Sequence, residues 1–159
     1  MGFRRGKPGE EPNFINRSTP NFNGLADICE LMRKQLDFLA LILYCGFIYW
    51  LSDQSRLPTP DLFENEDKLQ HLLAYFVMGV FAWRAFRRLP LRREAVILAC
   101  IGFCSLYGLS DEWHQSFVIG RNSSALDWLA DSLGGLLAAI ACTWQARKSG
   151  RQQSPAAID

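Results

Sequence analysis

Between Ser110 and Asp131 the chain reads SDEWHQSFVIGRNSSALDWLAD: four carboxylates, a histidine, a glutamine and an arginine, with apolar sequence on both sides. A second polar set precedes it in DKLQHLLAY, where Lys68, His71 and Tyr75 are spaced by three and four residues and so share one helix face. Asp111 and Gln115 are four apart, as are Asp127 and Asp131. Imidazole titrates near neutrality, so His71 with Asp111 or Glu112 can exchange protons with a substrate as general base and acid. Arg121, in a Gly-Arg turn, can grip a phosphate or carboxylate bidentately. Lys68, Tyr75, Gln115, Asp127 and Asp131 complete a ligand-binding set around them.

Each of these residues also has a plainer use. His71 can hydrogen-bond a neighbouring helix. Asp127 can compensate the dipole at a helix N-terminus. Arg121 can pair with Glu112 or Asp127, and Tyr75 and Trp113 can anchor at a membrane interface. Asp111 and Glu112 are adjacent, so they point about 100° apart on a helix. One of them should face a site while the other satisfies Arg121 or the start of the following helix. His71 with Asp111, Glu112 or Asp131 supplies ligand types for a metal. The sequence has no His-Glu-x-x-His, no paired cysteines and no second clearly placed histidine, so neither a metal nor another cofactor is expected. It has no nucleophile elbow and no phosphate-binding glycine loop either.

The elements that must hold these groups are apolar. Four segments stand out: Phe38–Leu51, Leu69–Phe86, Ala95–Leu109 and Ala125–Trp144. A spanning helix needs about 20 mostly apolar residues. The first and third segments reach that length only with polar neighbours at the interface, yet neither contains a charge. A soluble bundle would show a charged face on every turn. The reading is therefore all-α, an antiparallel four-helix bundle integral to a membrane. The mean hydropathy near zero hides this, because the charges are confined to gaps and ends.

Basic residues set the expected orientation. With the N-terminus inside, Met1–Asp37, Arg84–Glu94 and the stretch after Trp144 carry fourteen Lys+Arg, and the two outer connections carry three. That bias places both termini in the cytoplasm. Residues 1–35 read as a polar, largely disordered cytoplasmic tail with a short helix over Leu25–Lys34, residues 36–145 as the membrane domain, and 146–159 as a second polar tail. No signal-peptide cleavage site follows the first apolar run. Five cysteines without a spacing pattern argue against a disulfide framework. A net charge of +1 gives no reason to expect a nucleic-acid partner.

In such a bundle the end of helix one, the start of helix two, the end of helix three and the start of helix four meet at the outer face. Every candidate residue lies at one of those ends, and the cytoplasmic halves hold no comparable set. Gly134, Gly135 and Ala138 continue the helix-four face inward and allow close helix approach. Ionised groups at membrane depth cost about 2.5–3.5 kcal/mol each, so these stripes should turn toward one another and line an outward-facing polar cavity.

At these residues the chain resembles the VanZ-like family. The resemblance runs through SDQSRLP, DKLQHLLAYFVMG and YGLSDEWHQSFVIGRNSSALDWLADSLGG. The family pattern of Lys-x-x-His-x-x-x-Tyr, Asp-Glu-x-x-Gln, Gly-Arg, an Asp, and Asn or Asp before Gly falls on Lys68, His71, Tyr75, Asp111, Glu112, Gln115, Gly120, Arg121, Asp127, Asp131 and Gly134. Asp131 stands where many relatives have Asn, and His114 lies outside the pattern. The resemblance implies a bacterial inner-membrane protein, with a namesake linked to teicoplanin resistance.

The expected function is binding of an anionic or polar envelope ligand, a lipid headgroup or a cell-wall precursor. The alternative is a small intramembrane acid–base hydrolase or transferase. An ion path is disfavoured because nothing polar continues through the inner halves of helices one and three.

Overall fold

A computed structural model describes residues 22–55 and 66–152. Regular structure among the described residues is entirely helical: α1 (Phe22–Ser52), α2 (Glu66–Phe86), α3 (Arg93–Gln115) and α4 (Ala125–Gln152). All four are long and apolar enough to cross a membrane. The shortest, α2, has 21 residues and so a length of about 31 Å, close to the thickness of a hydrocarbon core.

Two helices outrun the apolar segments that announced them. No proline interrupts 22–52, so α1 runs unbroken through 22–35, where only Leu25–Lys34 was expected to be helical. Likewise α4 continues past Trp144 into the stretch expected as polar tail. The disorder expected for the first residues concerns 1–21, which lie outside the described residues. At the other boundaries local chemistry explains the ends. Pro90 stops helix propagation shortly after Phe86. The Ser124 hydroxyl accepts the Leu126 N–H at 3.2 Å and caps α4, with Asp127 in its first turn.

Helix directions follow from long-range contacts. Arg84 and Arg88 reach Asp37 at 2.8 and 3.1 Å, while the Tyr44 hydroxyl donates to the Ala74 carbonyl at 3.0 Å. Thus α1 and α2 are antiparallel. His71 pairs with Asp131, and the Trp83 indole N–H donates to the Thr143 hydroxyl at 3.2 Å. Both pairs are separated by 60 residues, so α2 and α4 run in the same direction at a fixed register. In an ideal up-and-down bundle these two are diagonal and distant. Here they pack most extensively of all, because Gly79 and Gly134 remove the side chains that would hold them apart, while Gly135 opens α4 to Cys104 of α3. A Cβ at Gly134 would lie 2.5 Å from the Leu72 carbonyl oxygen. α3 packs against this pair, and α1 lies mainly on α2.

The core is narrow. Met78, Ala82, Cys100, Cys104 and Ala139 are buried at its centre, and all described cysteines are free thiols. Leucines such as Leu43, Leu98 and Leu106 point outward, about two-thirds exposed. An apolar perimeter of that kind suits acyl chains better than water.

The end opposite the candidate residues is not simply basic. Asp37, buried, receives Arg84 and Arg88, and Arg88 also reaches Glu30 at 2.8 Å. The expectation was that this end holds no set comparable to the candidate residues, and it did not anticipate this ion-pair group. Glu30 had been assigned to a tail and Asp37 to the very start of the membrane domain, and the length of α1 brings both against Arg88.

Candidate functional site

All nine candidate residues lie at the end of the helices marked by Ser52, Glu66, Gln115 and Ala125. His71 is in the second turn of α2 and Asp131 in the second turn of α4, about 8 Å below the helix starts. Glu112 is in the last turn of α3. His71 Nδ1 is 3.0 Å from Asp131 Oδ1 and 3.8 Å from Glu112 Oε1. One imidazole therefore faces two buried carboxylates from two other helices. The ring of Tyr75 stacks parallel to that of His71 at 6.5 Å.

The adjacent acids divide their work. Glu112 Oε2 accepts the Ser124 backbone N–H at 2.6 Å, fastening the end of α3 to the start of α4. Its other oxygen turns to His71. Asp111 accepts from the Gln115 side chain at 3.4 Å. A cavity of about 130 Å³ is bounded by Ser52, His71, Tyr75, Asp111, Gln115 and Arg121, with Ile48, Leu51 and Ala74 on its apolar side. Glu112 and Asp131 are not among its lining residues and reach it through His71.

Several plainer readings do not survive the geometry. Tyr75 is no interfacial anchor, being only 1% exposed, whereas Trp113 is exposed. Asp127 keeps its plainer role in part: Ser124 supplies the cap of α4, while buried Asp127 in the first turn suits the helix dipole and lies 3.8 Å from Lys68 Nζ. Arg121 pairs with neither Glu112 nor Asp127 among the described residues, and its Nε has no hydrogen-bond partner. Gly120 places it there through a left-handed backbone, φ 86°, with the Ser55 carbonyl oxygen close by. Lys68 is the outlying member: it is shared between Asp67, at 3.3 Å, and Asp127.

Seven buried side-chain polar atoms lack a hydrogen-bond partner among the described residues: Ser52 Oγ, Tyr75 Oη, Glu112 Oε1, His114 Nε2, Arg121 Nε, Asp127 Oδ1 and Asp131 Oδ2. All belong to this end. A buried polar atom without a partner costs about 1–3 kcal/mol, and native proteins rarely leave several together. The cluster is also acidic, with Asp67, Asp111, Glu112, Asp127 and Asp131 against Lys68, Arg121 and the titratable His71. Such a set can transfer protons, ligate a cation, or hold a polar group between Arg121 and the carboxylates.

Two supporting residues escaped sequence reading. Asp67, beside Lys68, lines the cavity from the start of α2. Gly108 lets Asp131 lie flat against α3, since a Cβ there would meet Asp131 Oδ2 at 2.6 Å. The only signal was a glycine inside an apolar helix four residues after Cys104, which is ambiguous without coordinates.

Comparison with known proteins adds one positive finding. A family model described as VanZ/LLP1 matches residues 10–145. No curated protein and no solved structure matches the chain.

Proposed function

The chain belongs to the VanZ/LLP1 family, and from that premise we propose that it is a multi-pass protein of the bacterial inner membrane whose outward-facing cavity binds the polar head of an envelope ligand. Both termini lie in the cytoplasm, following the excess of Lys+Arg on that side. The observation that carries this reading is that three unpartnered buried polar atoms, Ser52 Oγ, Tyr75 Oη and Arg121 Nε, belong to residues lining one cavity. Their desolvation is offset when a ligand supplies the missing hydrogen bonds. At about 130 Å³ the cavity is well below the roughly 300–1,000 Å³ of drug-sized sites. It suits one small polar group, the phosphate of a lipid headgroup or of a lipid-linked cell-wall precursor, docked on Arg121, with the alkyl portion passing over Ile48 and Leu51. A part in envelope homeostasis or glycopeptide resistance follows from holding such a molecule.

A second reading, an acid–base hydrolase or transferase acting on the same kind of molecule, is favoured by the 3.0 Å contact of His71 with Asp131. In that reading His71 exchanges the proton and Asp131 and Glu112 stabilise its charged form.

Native mass spectrometry of the protein released from nanodiscs containing anionic phospholipid tests the binding reading. Arg121→Ala is expected to reduce retained lipid about tenfold, the loss of one charged hydrogen-bonded contact. His71→Gln and Glu112→Gln separate the two readings. Retained lipid with a lost cellular phenotype indicates catalysis; joint loss indicates binding alone. Unchanged retention and phenotype in all three variants rejects the site. Orientation has its own check. Ser123→Cys is expected to react with an impermeant thiol reagent added outside, and Leu91→Cys is not; the reverse pattern overturns the outward assignment.

A further inference from the structure

We propose that His71, Glu112 and Asp131 form a binding site for a divalent transition-metal ion, of the zinc or manganese class. One ligand-type atom from each residue lies within 4.8 Å of the other two. Three donors at about 2.0–2.2 Å from a common metal are about 3.0–3.6 Å apart from one another. The observed 3.0 Å from His71 Nδ1 to Asp131 Oδ1 and 3.8 Å to Glu112 Oε1 lie at or near that range, and the two carboxylates, within 4.8 Å of each other, have to draw together by up to about 1 Å to share an ion.

Proximity alone would not suffice, since a histidine and a carboxylate often form a hydrogen-bonded pair. Glu112 Oε1 is the independent observation. It is buried, has no hydrogen-bond partner, and is directed at the same imidazole nitrogen that already contacts Asp131. A single Nδ1 hydrogen cannot serve both acids. Among the described residues neither Glu112 nor Asp131 has any ion-pair partner except His71. Even with the imidazole charged, the trio would carry a net negative charge within a packed core. A divalent ion balances both carboxylates and uses the orphaned oxygen.

The supports behind the donors are those that metal ligands commonly have. The Ser124 N–H holds Glu112 through its other oxygen, and Gly108 gives Asp131 its fixed position. Binding requires Nδ1 to be free of its hydrogen, which moves to Nε2 in a neutral ring or to solvent from a charged one. Imidazole with two carboxylates suits zinc or manganese better than magnesium or copper(I). Three protein donors leave coordination positions for water or a phosphate oxygen. An acidic site could thereby accept an anionic group, although the metal site itself does not depend on which reading of the function holds.

The experiment uses the full chain with any polyhistidine tag removed, purified without chelators, stripped with EDTA and titrated with Zn²⁺ or Mn²⁺ alone. The expected result is stoichiometric uptake at micromolar concentration or below. His71→Gln, Glu112→Gln and Asp131→Asn are each expected to weaken it about 100-fold. His114→Gln and Asp53→Asn disrupt the other histidine–carboxylate pair, at 3.5 Å, and are expected to leave uptake unchanged. Pulsed EPR of the Mn²⁺-loaded wild type should show coupling to an imidazole ¹⁴N, a readout independent of how any variant folds. Uptake only at millimolar concentration, uptake undiminished in the His71 and Asp131 variants, or no nitrogen coupling overturns the proposal.

Discussion

Asp131→Asn is expected to raise the thermal stability of the chelator-stripped protein and to weaken the binding proposed for its site. The two effects share one cause. Asp131 has no exposed surface; one of its oxygens contacts His71 and the other has no partner. Its charge also lies near that of Glu112 through their common imidazole neighbour. Asparagine keeps the shape and the oxygen that faces His71, and removes a buried charge that is only partly compensated. The gain should be about 2 kcal/mol, and for a chain of this size about 5 °C in the unfolding midpoint. Asp131→Ala should show no such gain, because it also empties volume and strips His71 of its partner. Circular dichroism melts in detergent, with and without EDTA, give the comparison. A fall in midpoint for Asp131→Asn would mean that the resting protein already compensates this carboxylate, and the cluster would then be structural. A rise accompanied by loss of lipid retention or of phenotype marks a site that sacrifices stability for binding.

A larger loss is expected at Gly134. A Cβ placed there would lie 2.5 Å from the Leu72 carbonyl oxygen and 2.8 Å from the Phe76 nitrogen, both backbone atoms of α2. Neither can move without displacing the helix. Gly134→Val must therefore push α2 from α4 along their closest contact, at a cost of about 3 kcal/mol or more. The same movement pulls His71 from Asp131, so the site goes with the packing. Gly102→Ala is the control: it has nothing within 4 Å and should be neutral, or stabilising by up to about 1 kcal/mol through helix propensity. Size-exclusion profiles and melting curves of the two variants are sufficient. Equal behaviour would mean that the α2–α4 contact is not what holds the bundle together.

The all-helical architecture was legible because uncharged stretches such as Ala95–Leu109 leave a soluble helix no polar face. The spacing of Lys68, His71 and Tyr75, and of Asp127 and Asp131, announced two polar helix faces, and the coordinates place those residues at the same end of the bundle. Other features needed three dimensions. Helical periodicity says which residues share a face but not which helix a face meets, so the α2–α4 pairing could not be read from Gly134 and Gly135 alone. The division of labour between Asp111 and Glu112 was foreseen only in outline; that Glu112 serves both the α4 backbone and His71 depends on its two oxygens pointing different ways. Asp37 was misread because a single charge at the edge of an apolar run looks like a boundary, whereas Arg84 and Arg88 lie a long loop and a whole helix away in sequence.

The partnership of α2 with α4 also dictates the order in which the molecule can be completed. Ribosomal synthesis delivers α2 first, and its principal neighbour, α4, emerges only after α3. Until then His71 waits at the translocon without Asp131, and the face of α2 around Gly79 meets lipid. A nascent chain halted after α3 would thus display unfinished polar business to the cell's membrane proteases, and only the arrival of α4 closes the case.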